Sequence, residues 1–282
     1  MAFSDLQIKI ASEAAAMGVQ PHIANLKYFA KDFSPSVEKP FAGVMVPVYS
    51  LSAANEFDED SNNWCSGQNE VNGQVINLDK HFIKSLKLTD IQKGETDINF
   101  LRDGSKALAE TLARTVNKYA FETIVAGAEL TATAPTDKAG FAGLIKVAAD
   151  NGINPYESVL VLSPAKFGTL LASLDSMIYG GPDAVRYGVV PNLYGFRAVE
   201  WSAYLGEGVN GLIIPYDAVG MVTRVNAPAI AGYAAVYTGE TEDGFAIGFR
   251  AFEHLCKGAM YLGADVLAGV KVLQGNKIVK LV

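Results

Sequence analysis

The stretch from Thr96 to Ala126 constrains this chain more than any other part of it. Leu101, Ser105, Leu108, Leu112, Val116 and Tyr119 recur at helical period and mark one face. Arg102, Lys106, Glu110, Arg114, Lys118 and Glu122 fall mostly elsewhere. Thr96 or Asp97 is placed to cap the start, and Gly127 the end. At 1.5 Å per residue such a helix is about 45 Å long. That is more than a compact domain within 282 residues usually needs.

What precedes the helix is equally hard to bury on one small core. Residues 1–39 read as an arm, with Leu6, Ile10, Ala14 and Met17 near helical spacing, Gly18 to end that helix, and Pro21, Pro35 and Pro40 keeping the chain extended. Residues 40–95 read as a long β ribbon. Gly43 to Tyr49 is β-rich, with Pro47 confining it to an edge. Asn55 to Asn63 forms a hydrophilic tip, and Val71 to Ile76 the return. Phe82, Leu86 and Leu88 continue the strand character, so the ribbon is expected to project.

After a small-residue linker, Thr131–Lys138, the pattern becomes α/β. A helix is expected over 140–150 and a strand over Ser158–Leu162. Ser163-Pro164 then caps a helix carrying Phe167, Leu170, Leu171 and Leu174. Strands are expected at Phe196–Trp201, Gly211–Ile214, 219–225, 233–238 and 244–255. A closing hairpin joins Val270–Leu273 to Ile278–Val282 through Gln274-Gly-Asn276.

Charge and cysteine content narrow the function. Lys plus Arg is 23 against Asp plus Glu 30, a net charge of −7, which excludes a global polycation wrapped on nucleic acid. Cys65 and Cys256 have no C-x-x-C spacing, so neither a disulfide scaffold nor a four-ligand zinc site fits. Met-Ala-Phe-Ser-Asp lacks the features of a signal peptide, and every apolar run is interrupted before it reaches membrane-spanning length. A soluble protein made in the cytoplasm is the expectation.

No motif for chemistry stands in its required context. Gly206-Glu-Gly208-Val-Asn-Gly211 matches G-x-G-x-x-G, but runs into the strand-like Leu212-Ile-Ile-Pro215 instead of a helix and reads as a hairpin loop. Asp58-Glu-Asp60-Ser-Asn62 begins like a calcium loop, yet Asn63 stands where Gly is needed and Asn69 where Glu is needed. Glu253, His254 and Cys256 are close in sequence, but two ligands on one strand face are not a metal site, and His22 and His81 fall in other segments. Cys256 is expected as a buried free thiol. There is no G-x-S-x-G elbow and no phosphate-binding GxxxxGK[ST] loop. Trp64, Trp201 and the tyrosines lack the interleaved cations of a single-strand platform; Tyr233 and Tyr237 sit in a charge-poor stretch suited to packing or subunit contact. No catalytic residue, cofactor or metal is predicted.

The order of parts resembles a tailed-bacteriophage major capsid protein with the Hong Kong 97 fold, an α+β architecture of N-arm, E-loop, spine helix with P-domain sheet, and α/β A-domain. Residues 158–224 are similar to the A-domain in detail. Val161-Leu-Ser-Pro164 closes an apolar strand, a leucine-bearing helix and Gly180-Gly-Pro182 follow, then Tyr194-Gly-Phe-Arg-Ala-Val-Glu-Trp201, then Ile213-Ile-Pro-Tyr-Asp217-Ala218. Phe245 to Val272 resembles the P-domain strands. The implied division is 1–39 N-arm, 40–95 E-loop, 96–138 spine helix and linker, 139–226 A-domain, and 227–282 return strands of the A- and P-domains.

The resemblance implies a self-assembling coat protein, not an enzyme, forming pentamers and hexamers in an icosahedral virion shell around double-stranded DNA. Assembly in the host bacterial cytoplasm is implied, with portal and decoration proteins as further partners, DNA contact that is non-specific, and no membrane. About 39 residues precede the ribbon, so a separate scaffolding protein is implied in place of a fused one. Some members cross-link through Lys–Asn isopeptide bonds. Lys80, Lys84, Lys87 and Lys93 lie in or after the ribbon, but no Asn or Glu matches the pattern, and no cross-link is expected. Expected interface residues are Asn55, Phe57, Asp58 and Trp64 at the ribbon tip, resting on an adjacent subunit, and Met177, Tyr179, Arg186 and Tyr187 in a loop near the capsomer axis. The alternatives are an encapsulin-type nanocompartment shell protein or an α/β ligand-binding protein or enzyme.

Overall fold

A computed structural model describes residues 13–14, 26–34, 43–50, 70–89, 98–173, 190–191, 193–225, 235–240, 246–254 and 259–282. In chain order the elements begin with α1 (Leu26–Phe29), β1 (Lys31–Asp32), β2 (Val44–Ser50), β3 (Glu70–Ile76) and β4 (Lys80–Thr89). Next come α2 (Ile98–Gly127), β5 (Leu130–Ala132), α3 (Lys138–Asp150), β6 (Ser158–Leu162) and α4 (Pro164–Ser173). Then follow β7 (Val190–Pro191), β8 (Ala198–Trp201), β9 (Gly211–Pro215), β10 (Val219–Arg224), β11 (Ala235–Glu240), β12 (Ala246–His254), β13 (Ala259–Val272) and β14 (Val279–Leu281).

The long helix forms as its periodicity requires, with 30 residues in α2. Its buried face is wider than the heptad-like set of large residues. Ala109, Ala113, Asn117, Ala120, Phe121 and Ile124 are buried along with Ser105, Leu108, Leu112 and Val116, and the alanines let the sheet approach closely. Two Thr hydroxyls on the exposed side, Thr111 and Thr115, donate back to carbonyls four residues earlier.

β13 is the hub of the first sheet. β4 pairs antiparallel along one edge, Ala268 to Ala259, while β12 and β10 share the other, β12 at Ala259–Asp265 and β10 at Leu267–Val272. Strand alternation then sorts the side chains of β13. Leu262, Ala264, Val266, Ala268 and Val270 join the cluster under α2. Leu267, with Val222 and Leu273, turns to the opposite face and receives Val44, Val46, Ile76 and Leu78. The β2–β3 ribbon therefore lies on its own sheet at these residues, with Gln74 Nε2 donating to the Leu273 carbonyl (3.0 Å) and Lys271 Nζ to the Val75 carbonyl (3.1 Å).

The second sheet runs β5-β14-β9-β6-β8-β7. One face carries Val159, Val161, Ala198, Leu212 and Ile214 into the first cluster, where α1 sits and Phe29 stacks near Phe121 at 5.4 Å. The other carries Leu160, Leu162, Val199, Ile213, Val279 and Leu281 against α3 and α4. Asp137 caps α3 by accepting from the Gly140 amide (2.8 Å), and Ser163 Oγ accepts from the Lys166 amide at the head of α4. Tyr194 and Gly195 both adopt positive φ, 50° and 74°, and turn the chain into β8.

Two local expectations fail for a non-local reason. Val270–Leu273 and Ile278–Val282 do not form a hairpin. β13 stays in the first sheet, whereas β14 pairs parallel with β5 and antiparallel with β9 in the second. The 3-10 turn at Gly275–Lys277 is held against the end of α2, where the Glu129 amide donates to the Gly275 carbonyl, and this carries the chain across between sheets. Likewise 202–210 is not a hairpin loop, because β6 lies between β8 and β9.

Candidate assembly surfaces

None of the eight residues expected at interfaces is placed: Asn55, Phe57, Asp58, Trp64, Met177, Tyr179, Arg186 and Tyr187 all lie outside the described residues. So do His22, Cys65, Cys256, Lys93 and the calcium-loop-like Asp58–Asn62. Glu253 and His254 end β12, and His81 lies apart on β4, where its Nε2 pairs with buried Asp265 at 3.0 Å. No group of three or more metal-ligand residues occurs among the described residues.

The glycine motif is placed, and its geometry excludes phosphate binding. Gly206 and Gly208 take positive φ in a loop, but Gly211 opens β9, not a helix, so no ring of helical N–H groups faces outward. A Cβ at Gly211 would lie 2.8 Å from the Val161 carbonyl oxygen, which is reason enough for glycine there.

The ribbon presents a surface that the residue-type reading missed. Pairing puts Met45 opposite Val75, Pro47 opposite Gly73 and Tyr49 opposite Val71, all on the face turned from the body. Met45, Tyr49 and Val71 are 70%, 62% and 58% exposed, and none of these six residues is charged. Grouped apolar exposure of this kind marks contact surfaces on soluble chains. The signal was in the sequence: both alternating sets of 44–49 are apolar, so a ribbon burying one must expose the other. Ile83 on β4 and Trp201 at the end of β8 are also exposed.

Two polar groups are perturbed. The Tyr119 hydroxyl is pushed up to about 12, first by burial and then by Asp79, whose Oδ1 accepts from it at 3.0 Å. Glu200 is pushed up to about 8 by burial alone. It is 1% exposed, and its Oε1 has no hydrogen-bond partner among the described residues. Neither group adjoins a nucleophile or metal-ligand cluster. Among the described residues no helix is long and apolar enough to cross a membrane.

Comparison with known proteins agrees with this absence of a chemical site. Residues 73–264 match a family model described as phage capsid protein. Solved structures share the fold at low identity. A Mycobacterium phage Che8 structure has 17% identity and TM-score 0.59, covering 92% of this chain and 90% of that one. A structure described as the capsid of an empty GTA particle computed with C5 symmetry has 12% identity and TM-score 0.61, with coverages of 92% and 89%. A virus-like particle from Pyrococcus furiosus has 12% identity and TM-score 0.55, with coverages of 95% and 96%. No curated protein matches the chain.

Proposed function

The chain belongs to the phage capsid protein family, and from that premise we propose that it is the major capsid protein of a tailed bacteriophage, assembling into an icosahedral head shell around double-stranded DNA. A capsid protein is a structural subunit, so the chain is not an enzyme. The observation that carries the reading is the extent of the family match, which runs from the return strand of the ribbon through the long helix and both sheets. The Hong Kong 97 fold agrees with it across nine-tenths of the chain, 92% for the mycobacterial phage structure.

Within this reading the parts take the roles of N-arm (1–39), E-loop (40–95), spine helix and linker (96–138), A-domain (139–226) and return strands (227–282). Subunits meet head to tail in pentamers and hexamers, a geometry that closes rings and tiles a shell. The apolar outer face of the ribbon supports this, because a shell subunit needs contact area beyond its compact body. The ribbon tip around Trp64 and the loop around Tyr187 serve as further subunit contacts. Assembly takes place in the host cytoplasm on a separate scaffolding protein, with portal and decoration proteins joining the shell. The nanocompartment alternative shares the fold but has no observation of its own in favour.

Size-exclusion chromatography of the recombinant protein, followed by negative-stain electron microscopy of the largest fraction, tests the proposal. Rings of five or six or closed shells are expected. A monodisperse small species, unchanged when a candidate scaffold is co-expressed, overturns it.

A further inference from the structure

Glu200 is the one acidic residue in the six strands of the second sheet; the one basic residue is Lys280. Register puts Lys280, Leu212, Val161 and Glu200 in a single row on one face. Three strand spacings separate the two charges, about 14 Å, which is too far for an ion pair. The rest of that face is apolar: Ala198, Val159 and Ile214 flank the carboxyl, and Leu26 and Phe29 of α1 belong to the same cluster. The titratable side chains packed against this cluster are the phenols Tyr119 and Tyr204. α4, on the sheet's other side, carries a single charge, Lys166, whose Nζ donates to the Pro135 carbonyl at 3.1 Å. β6, β7 and β9 carry none. Burying a charge without a partner is costly, and the group escapes by staying protonated.

Position adds a mechanical consequence. Glu200 is the penultimate residue of β8, and β7 pairs with β8 only at Ala198 and Val199. Among the described residues, then, Glu200 and Trp201 are held on one side alone, by β6, with the Ser202 amide donating to the Leu162 carbonyl at 2.9 Å as the last bond. Trp201 is already 46% exposed.

We propose that Glu200 is a proton-operated latch on the end of β8: protonated, it holds residues 200–202 in the sheet, and ionised, it draws that strand end out into water. The latch is a property of the subunit itself and does not rest on the shell reading. Its carboxyl, pushed up to about 8 when closed, returns to an ordinary value near 4.5 when open. Opening thus releases one proton across that interval, and the open population rises about tenfold per pH unit between roughly 5 and 8, then levels off.

Hydrogen exchange of the full-length protein, read by mass spectrometry on a peptide spanning 200–204 and corrected for base-catalysed exchange, tests this. Protection of the Ser202 amide is expected to fall about tenfold per pH unit from pH 5 to 8 and then flatten. Glu200→Gln, a neutral isostere, should hold a flat profile. A wild-type profile that is flat from pH 5 to 8 overturns the latch whatever the variant does, and so does a slope that survives unchanged in Glu200→Gln.

Discussion

The Tyr119 hydroxyl donates to Asp79 Oδ1 at 3.0 Å, tying the long helix to the turn between the ribbon and β4. Phe82 packs edge-on against the same ring at 5.7 Å, so the phenol serves two elements. Tyr119→Phe keeps the packing and deletes the bond. Because the pair is partly solvated, chemical denaturation should show a loss near the low end of roughly 0.5–1.5 kcal/mol. An alkaline absorbance titration should also lose the late-ionising phenol, whose value lies near 12.

Phe29 ties the arm to the body. It is fully buried and meets Phe121 of α2 at 5.4 Å, while α1 packs beside β6. Phe29→Ala should cost about 3–5 kcal/mol in urea unfolding of the subunit. A change under about 1 kcal/mol would mean that the arm does not pack on the body in solution.

Gly211 tests the reading of the glycine motif as structural. Its would-be Cβ meets the Val161 carbonyl oxygen at 2.8 Å and the Leu162 and Leu281 side chains at 3.0 Å. Gly211→Ala should lower stability by about 1–3 kcal/mol through overpacking. Gly206→Asn, in open loop space at φ 82°, should stay within about 1 kcal/mol of wild type, since Asn tolerates that conformation. If nucleotide binding were the reason for the motif, a trinitrophenyl-ATP fluorescence titration would show saturable binding; none is expected.

The ribbon's outer face should separate assembly from folding. Met45→Ser with Tyr49→Ser removes apolar area that touches little of the subunit's own body, so the unfolding midpoint should stay within about 0.5 kcal/mol of wild type. Light scattering should show the concentration needed for assembly rising tenfold or more, the scale of one modest hot spot. Normal assembly by the double variant would remove this face from the contact surface.

How much of this was legible depends on whether the determining contact is local. The long helix, β6 and the Ser163-Pro164 start of α4 rest on periodicity and capping within a few residues, and they stand where those signals put them. The partner of β14 is not a local property: Ile278–Val282 has the same alternation whether it pairs with Val270–Leu273 or with Leu130–Ala132 and Gly211–Ile213. Only the meeting of Glu129 with Gly275 decides it. Glu200 escaped notice because one acid in Ala-Val-Glu-Trp looks like the outward half of an alternating strand. The usable signal was its setting, since β6 and β9 around it are continuously apolar and leave neither face wet.

Burial of Glu200 also predicts how whole-subunit stability responds to pH. Its folded value, about 8, lies above the ordinary 4.5, so the folded state binds the proton more tightly than the unfolded one. The stabilisation from the protonated form is complete below about 4.5, declines as pH rises, and is gone above about 8. A shift of this size corresponds to a loss on the order of 4 kcal/mol across the window. Glu200→Gln has no proton to lose at that position. Urea unfolding from pH 5 to 9 should therefore give a profile flatter than wild type by that amount, with the two curves diverging most between pH 5 and 8. Parallel curves would mean that the carboxyl finds water or a cation in the folded subunit.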